Sequence, residues 1–335
     1  MKRTIFVIII SLLALFCIGM CYFVFARHMT IPFLYRNKAG NEYTIVTSLC
    51  ESPLIVDTSS MVAIRSEQFN MHPTCKFMAD PFVVREGDDF YIFYEEMSAK
   101  MNSTWGDIAV LHSKNLKDWE RIGVALDEPF HLSFPNVFKY GGEWYMIPET
   151  SAIDEIRLYK ATDFPLKWAF HATLIPDFYG VDPALVHKDG IWYLMCNSND
   201  RLLLFSSHTL TGNYTKHPCS PIRSGIQETR LAGPVFSIDD TLFYSTQRHD
   251  GGYGTGVVLF RIDSLTTDYF KDSRLDNNPI VYNHGNEFAR DGMHQFSVLF
   301  VSEKQQYITV MDGCRHATST VWGWDWHNFP TFRFQ

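Results

Sequence analysis

The sequence predicts an all-β protein, a five-bladed β-propeller preceded by one N-terminal transmembrane helix. The helix is indicated by one long apolar run, which opens the chain. The propeller is indicated by a unit of about 50 residues that repeats through the rest of the chain, because small antiparallel sheets recur at such a period in propellers. Aromatic residues make up 15% of the sequence, which favours a folded chain over a disordered one.

The apolar run covers residues 4–26 and contains no charged residue. At 1.5 Å per residue, a helix of this length would cross a hydrocarbon core of about 30 Å. The run is longer than the apolar region of most signal peptides and ends in a poor cleavage site, so an uncleaved signal anchor is favoured over a cleaved signal peptide. The short tail before it predicts a single-pass membrane protein with a cytoplasmic N-terminus and an extracytoplasmic propeller.

The charge balance restricts the partners. The chain has 29 Lys and Arg against 37 Asp and Glu, a net charge of −8, and no basic run. Nucleic acid is therefore excluded as a partner, since its phosphates require concentrated positive charge. The cysteines outside the apolar run show no metal-ligand spacing. We expect no cofactor, although a central cation such as calcium could bind at the propeller axis.

Each repeat opens with a proline near the start of a strand and continues through a turn signal to a pair of aromatic residues. The four prolines lie 54, 48 and 51 residues apart, and a tyrosine stands ten residues after each. The prolines are Pro81, Pro135, Pro183 and Pro234, and the tyrosines are Tyr91, Tyr145, Tyr193 and Tyr244. This pattern predicts a β-hairpin, because proline is tolerated at the first residue of a strand.

A third strand follows each hairpin, and a fifth, looser copy of the repeat begins near His294 but lacks a matching third strand. The five units predict a propeller over residues 70–335, with residues 27–69 as a stalk leading into it. The alternating stretch Trp322–Trp326 could form a closing outer strand, in which its tryptophans pack rather than bind a ligand.

The constant spacing predicts which residues meet at one rim, because the start of the first strand of a hairpin lies beside the end of the second. In each hairpin the second residue comes fifteen after the first. The predicted pairs are Asp80 with Glu95, Phe134 with Glu149, Asp182 with Asn197, and Gly233 with Arg248. If the first strand of each blade is innermost, Asp80 and Asp182 point into the central funnel, and Glu149, Arg248 and His294 approach from the other blades.

Carboxylates that converge in a funnel are what glycoside cleavage requires, since one acid protonates the leaving oxygen while a carboxylate activates water. An Asp before Pro can instead accept hydrogen bonds from a neighbouring turn, and this structural alternative stays open. Arg230 and Arg248 could bind an anionic group of the ligand. His294 could bind substrate, hold a cation or serve as a structural hydrogen-bonding residue.

Two stretches carry a resemblance to a known family. Residues 127–135 (DEPFHLSFP) and 143–151 (EWYMIPETS) resemble the N-terminal propeller of plant glucosamine inositolphosphorylceramide transferases and their bacterial relatives. That group is similar to the five-bladed propellers of family 43 glycoside hydrolases. The resemblance implies Asp80 as general base and Asp182 as the residue that orients and tunes the acid. Where the hydrolases place the acid before Gly-Pro, this chain has Ala232, so the acid would be Glu149 or Glu228.

These observations predict a membrane-anchored, glycosidase-like hydrolase that acts on an envelope or extracellular glycan, with Asp80, Asp182 and Glu149 as catalytic residues. The expected substrate-binding residues are Glu95, His131, Glu228, Arg230, Arg248 and His294. Because Ala232 replaces the expected acid, the alternative is a non-catalytic glycan-binding propeller that assists a separate glycosyltransferase. A weaker third option is an enzyme acting on a phosphorylated or lipid-linked sugar.

Overall fold

One helix and then a series of antiparallel sheets make up the chain. The computed structural model describes residues 2–25, 34–37, 41–69, 77–97, 105–282, 287–316 and 321–324. Within these ranges five sheets of four or five strands follow one another along the chain. The all-β, five-bladed propeller predicted from the repeat is therefore confirmed.

A helix and three strands precede the first blade. The helix α1 spans Lys2–Phe25, and the strands are β1 (Leu34–Asn37), β2 (Asn41–Cys50) and β3 (Val62–Ile64). Blade one contains β4 (Met78–Glu86), β5 (Asp89–Met97), β6 (Gly106–Ser113) and β7 (Glu120–Leu126). Blade two contains β8 (Ser133–Tyr140), β9 (Glu143–Glu149), β10 (Ile156–Asp163) and β11 (Lys167–Ile175).

Blade three contains β12 (Val181–Lys188), β13 (Ile191–Asn197), β14 (Arg201–Ser207), β15 (Thr215–Lys216) and β16 (Arg223–Ser224). Blade four contains β17 (Phe236–Ile238), β18 (Thr241–Arg248), β19 (Gly256–Leu265), β20 (Phe270–Arg274) and β21 (Val281–Tyr282). Blade five opens with β22 (Phe296–Val301) and β23 (Gln306–His316), and β24 (Val321–Trp324) follows. Short 3₁₀ helices span Thr58–Ser60, Ser66–Gln68 and Ser151–Ile153.

Blade five is completed by strands from the start of the chain. Its sheet has the order β22-β23-β2-β3, so the third strand that the sequence lacks after residue 316 is supplied by residues 41–50. The segment 27–69, predicted as a stalk, thus contributes two strands to the propeller. The strand β24 covers part of the stretch expected to form a closing outer strand. It pairs instead with β1 in a separate two-stranded sheet.

The predicted transmembrane helix over 4–26 is not supported. The apolar run does form α1. In the part of the chain that the structure describes, however, no helix is long and apolar enough to cross a membrane.

The repeated aromatic pairs form part of the core between blades. The first member of each pair is buried. These residues are Phe90, Trp144, Trp192 and Phe243, and each belongs to a cluster of apolar side chains. Burial of an aromatic side chain contributes roughly 1.5–3 kcal/mol, so the repeat stabilises every blade by the same means.

A β-bulge at the start of each of the first three blades positions the candidate site. In β4 and β5, Ala79 pairs with Glu95 and Phe82 pairs with Phe93, so two residues of β4 face one of β5. Blades two and three repeat this irregularity. The bulge residues Asp80, Phe134 and Asp182 have φ of 50°, 46° and 51°, a left-handed backbone that costs most side chains about 1 kcal/mol or more. Because the bulge adds a residue to the inner strand, Ala79 rather than Asp80 lies opposite Glu95.

Candidate functional site

Carboxylates link neighbouring blades at the rim where the bulges lie. Asp80 Oδ2 accepts a hydrogen bond from the N–H of Phe134 at 3.3 Å. Glu149 Oε2 accepts from the N–H of Asp182 at 3.1 Å, and Asp312 Oδ2 accepts from the N–H of Asp80 at 3.2 Å. Each left-handed bulge residue therefore donates its N–H to a carboxylate of the preceding blade. The structural alternative for an Asp before Pro is thus realised for one oxygen of Asp80.

Arg230 lies against the carboxylates of blades two and three. Its Nε donates to Asp182 Oδ2, and its Nη2 donates to Asp182 Oδ1 at 3.4 Å and lies 3.8 Å from Glu149 Oε2. Gln247 Nε2 also donates to Asp182 Oδ2, at 3.2 Å. Burial raises the pKa of Asp182 to about 7, against the opposing effect of Arg230, and the negative charge of Glu149 adds to the rise.

His294 lies between two carboxylates on the axis side. Its Nε2 is 3.8 Å from Asp80 Oδ1, and its Nδ1 forms an ion pair with Asp312 Oδ2 at 2.6 Å. Burial lowers the pKa of His294, but attraction by Asp312 and Asp80 outweighs it and the pKa is raised to about 9. Burial raises the pKa of Asp80 to about 7, although His294 opposes the rise.

Asp312 is a site residue that sequence reasoning missed. It is fully buried, and its Oδ1 accepts hydrogen bonds from the N–H groups of His294 and Gln295 at 2.9 and 3.0 Å. Burial alone would raise the pKa of Asp312, but the charge of His294 and the hydrogen bonds from the N–H groups of His294 and Asp80 have the larger effect, so the pKa is lowered. The signal was hidden because the fifth copy of the repeat is irregular. Tyr43 of β2 also stacks on His294, with ring centroids 5.0 Å apart.

Glu95 approaches the same cluster from blade one. The carboxyl group is buried, and its Oε1 lies 3.7 Å from Nε2 of His131. The N–H of Gly106 donates to Nδ1 of His131 at 2.9 Å. Burial and then the charges of Asp80, Glu149 and Asp182 raise the pKa of Glu95 well above its usual range. The neighbouring Glu96 turns away and pairs with Arg121, as expected for alternate residues of a strand.

Two of the predicted substrate-binding residues lie apart from this cluster. Glu228 Oε1 accepts from Arg274 Nε at 3.1 Å, and Arg274 belongs to β20 in the outer part of blade four. Arg248 pairs with Asp250, in the loop that follows β18. The structure therefore brings together Asp80, Glu95, His131, Glu149, Asp182, Arg230 and His294, and does not bring Glu228 or Arg248 to them.

A cavity of about 630 Å³ lies beside the cluster, between blades three and four. Arg230 forms part of its wall, and so does Tyr253, whose ring centroid is 5.2 Å from the Arg230 guanidinium carbon. The Tyr253 ring stacks on His249, with centroids 5.4 Å apart. Stacked aromatic faces beside hydrogen-bonding groups suit a ligand with apolar ring faces and polar edges.

The predicted central cation has one place to bind among the described residues. Asp80, His294 and Asp312 offer ligand atoms that all lie within 4.8 Å of one another. Calcium, however, takes six to eight oxygen ligands. Here an imidazole is one of three groups, and both oxygens of Asp312 already accept backbone N–H donors. Calcium at this place would need further oxygen ligands, and the central cation stays a prediction.

Comparisons with known proteins identify a matching family and several similar proteins. A model of the family described as "Glucosamine inositolphosphorylceramide transferase 1, N-terminal" matches residues 58–314. Glucosamine inositolphosphorylceramide transferase 1 of Oryza sativa subsp. japonica is 34% identical over 257 residues, covering 71% of this chain and 33% of the relative. The Arabidopsis thaliana protein of the same name is 32% identical over 251 residues, covering 71% of this chain and 32% of the relative. The chain thus spans about a third of the length of the curated relatives it matches.

Among solved structures, the α-L-arabinofuranosidase of Podospora anserina in complex with cellotriose superposes with a TM-score of 0.56. It is 10% identical, and the match covers 82% of this chain and 98% of that chain. At this level of identity the likeness shows a shared fold.

Proposed function

The chain belongs to the family of the N-terminal domain of glucosamine inositolphosphorylceramide transferase 1, and from this premise we propose that its propeller binds a glycan in the central funnel and hydrolyses a glycosidic bond. The observation that carries the proposal is the cluster of buried carboxylates from blades one, two and three around Arg230. Like charges that are crowded and buried do not all ionise, so such a cluster supplies both a carboxylate and a carboxylic acid near neutral pH.

Asp80 is the proposed general base. Its Oδ2 is held by the N–H of Phe134, and its Oδ1 faces His294. In the proposed step Asp80 removes a proton from water while the water oxygen bonds to the anomeric carbon. As the glycosidic C–O bond breaks, a carboxylic acid of the cluster gives its proton to the leaving oxygen. Asp182 orients Arg230, and the positive charge of Arg230 then acts on both the general base and the acid.

The contacts of Glu149 bear on its predicted role as the acid. Its Oε1 accepts from the hydroxyl of Ser151 at 2.7 Å, and its Oε2 accepts from the N–H of Asp182. Arg230 lies 3.8 Å from the same Oε2. Both oxygens of Glu149 are therefore already engaged by groups of blades two and three. We therefore propose that Glu149 positions the bulge of blade three and the side chain of Arg230.

A non-catalytic glycan-binding propeller is the second candidate. Ala232 stands where the related hydrolases place their acid, and Asp182 is fully buried beneath Arg230. The curated relatives are named as transferases, and this chain matches a third of their length. These observations favour a domain that presents a glycan to a separate glycosyltransferase. The extracytoplasmic location of that glycan stays a prediction.

The two candidates separate in one experiment. Purified full-length protein is incubated with a panel of polysaccharides and aryl glycosides, and reducing ends and binding are both measured. We expect turnover that Asp80→Asn lowers about 10²–10⁴-fold, the usual contribution of a general base. The matched control is Asp88→Asn, an exposed carboxylate in the turn of the same blade. Glycan binding without turnover by the natural protein would favour the binding domain and exclude the hydrolase.

A further inference from the structure

We propose that Glu95 holds the proton of the carboxylate cluster and donates it to the leaving oxygen. This inference rests on the proposed hydrolysis and names its acid. It follows from the distribution of donors and positive charges over the buried carboxylates that the structure describes at this rim. These carboxylates are Asp80, Glu95, Glu149, Asp182 and Asp312.

Four of the carboxylates accept hydrogen bonds and face a cation, although burial still raises the pKa of two of them, Asp80 and Asp182, to about 7. Asp312 accepts from three backbone N–H groups and pairs with His294, and Asp182 pairs with Arg230. Glu149 accepts from a hydroxyl and a backbone N–H. Asp80 accepts from a backbone N–H and faces His294. Hydrogen bonds and opposite charges of this kind favour the charged form of a carboxyl group.

Glu95 has a different environment. The partner that the described residues give it is His131, whose Nδ1 accepts the N–H of Gly106. A ring nitrogen that accepts a hydrogen bond carries no proton, so His131 is neutral and its Nε2–H faces Glu95. Burial and Arg230 also lower the pKa of His131, which agrees with a neutral ring. Among the described residues, Glu95 is therefore buried without an adjacent cation, and this environment favours its protonated form.

The other charged groups around Glu95 act in the same direction, except for one. Asp80, Glu149 and Asp182 are negative and disfavour a further negative charge, whereas Arg230 opposes them. Arg230 is already paired with Asp182 and faces Glu149. Since the cluster has more carboxylates than cations, the proton settles on the carboxyl group that has the weakest stabilisation as an anion.

Gly106 keeps the Glu95 carboxyl group in place. A Cβ atom at position 106 would lie 2.5 Å from Glu95 Oε1, so a side chain there would displace the carboxyl group. The N–H of the same glycine holds His131. In the step, Glu95 gives its proton to the leaving oxygen and becomes a carboxylate, while Asp80 takes the proton of the attacking water. Exchange with solvent then returns both groups to their starting states.

The location of the proton is tested by infrared spectroscopy of the full-length protein slightly above pH 8, about one unit above the pKa values near 7 of Asp80 and Asp182. We expect a carbonyl-stretch band of a protonated carboxyl group that is absent from Glu95→Gln and present in Glu149→Gln. Thermal unfolding of each variant verifies that it is folded. A band that persists in Glu95→Gln, or one that disappears in Glu149→Gln, would overturn the assignment.

The donor role is tested with two kinds of leaving group. Nitrophenolate leaves without much protonation, whereas a sugar hydroxyl needs an acid. Glu95→Gln should lower turnover of an unactivated glycan about 10²–10⁴-fold and that of the nitrophenyl glycoside less than about tenfold. Asp80→Asn should lower both. Glu95→Asp should keep the infrared band and still lose turnover of the glycan.

Equal losses on both substrates in Glu95→Gln would overturn the donor role. If the natural protein hydrolyses neither substrate, the proposed hydrolysis fails and the donor role fails with it. The infrared band is read independently of turnover, so it still decides where the proton resides.

Discussion

At the scale of single residues, Arg230 stabilises a fully buried charge of the site, the carboxylate of Asp182. Asp182 is fully buried, and its Oδ2 accepts hydrogen bonds from both Arg230 and Gln247. Burial of an ionised carboxylate is costly unless a cation or several donors compensate it. Arg230 therefore has a structural function whether or not the propeller hydrolyses a glycan.

Replacing Arg230 should destabilise the protein through Asp182. We expect Arg230→Met to lower the free energy of unfolding by about 2–4 kcal/mol, less than a fully buried pair would lose because the arginine side chain is 30% exposed. Urea denaturation of the single variants Arg230→Met and Asp182→Asn and of the double variant measures the interaction. The double variant should recover part of the loss. If the two losses simply add, the residues do not interact energetically.

At the scale of strands, β2 serves both the fold and the site. It pairs with β23 from Asn41 to Cys50, and Ile45 and Val46 of β2 are fully buried in two different clusters. Ile45 is the strand partner of Asp312, and Tyr43 stacks on His294. The strand β2, which completes blade five, thus also lies beside the carboxylate of Asp312.

A deletion that ends before β2 and one that includes β2 should differ sharply in their effect on stability. A chain that lacks residues 2–33 retains every blade strand and should unfold cooperatively near the temperature of the full chain. A chain that lacks residues 2–50 loses β2 with Ile45 and Val46, at about 2–5 kcal/mol for each large buried side chain. That loss is comparable to the total stability of most domains, about 5–15 kcal/mol. Calorimetry of both chains is the measurement, and similar transitions would contradict the role of β2.

At the scale of the whole molecule, the buried cluster gives stability an unusual dependence on pH. The pKa values of Asp80 and Asp182 are raised from 3.8 to about 7 on folding, so their unfolded forms ionise first and stability falls as pH rises from about 4 to 7. The pKa of His294 is raised from 6.5 to about 9, so its contribution is complete below about 6.5 and is lost as pH rises through 9. Both effects have the same sign.

We therefore expect the free energy of unfolding to decrease from pH 4 to pH 9 by an amount traceable to these groups. Urea denaturation across that range measures the slope. Asp80→Asn should flatten the part between about pH 4 and 7, and His294→Gln should flatten the part near pH 9. A slope that neither variant changes would show that other groups control it.

The repeat made the blades predictable, because a proline, a hairpin turn and a buried aromatic recur at nearly constant spacing. The same spacing brought Asp80, Asp182, Glu149 and Glu95 to one rim. The repeat carried no information about contacts between distant parts of the chain. The pairing of β2 with β23 and the approach of Arg230 to Asp182 depend on how blades meet. The bulge that shifts the pairing of Glu95 from Asp80 to Ala79 depends on a left-handed residue.

The closure of blade five has a consequence for how the connectivity of the chain can be changed. Asn41 and His316 are strand partners, so the two ends of the propeller lie side by side. A short linker from 316 to 41 would make blade five continuous in sequence. New termini could then be opened at the exposed turn of Gly141 and Gly142 between β8 and β9. The ring of blades is therefore suited to circular permutation, because joining residues 316 and 41 needs only a short linker.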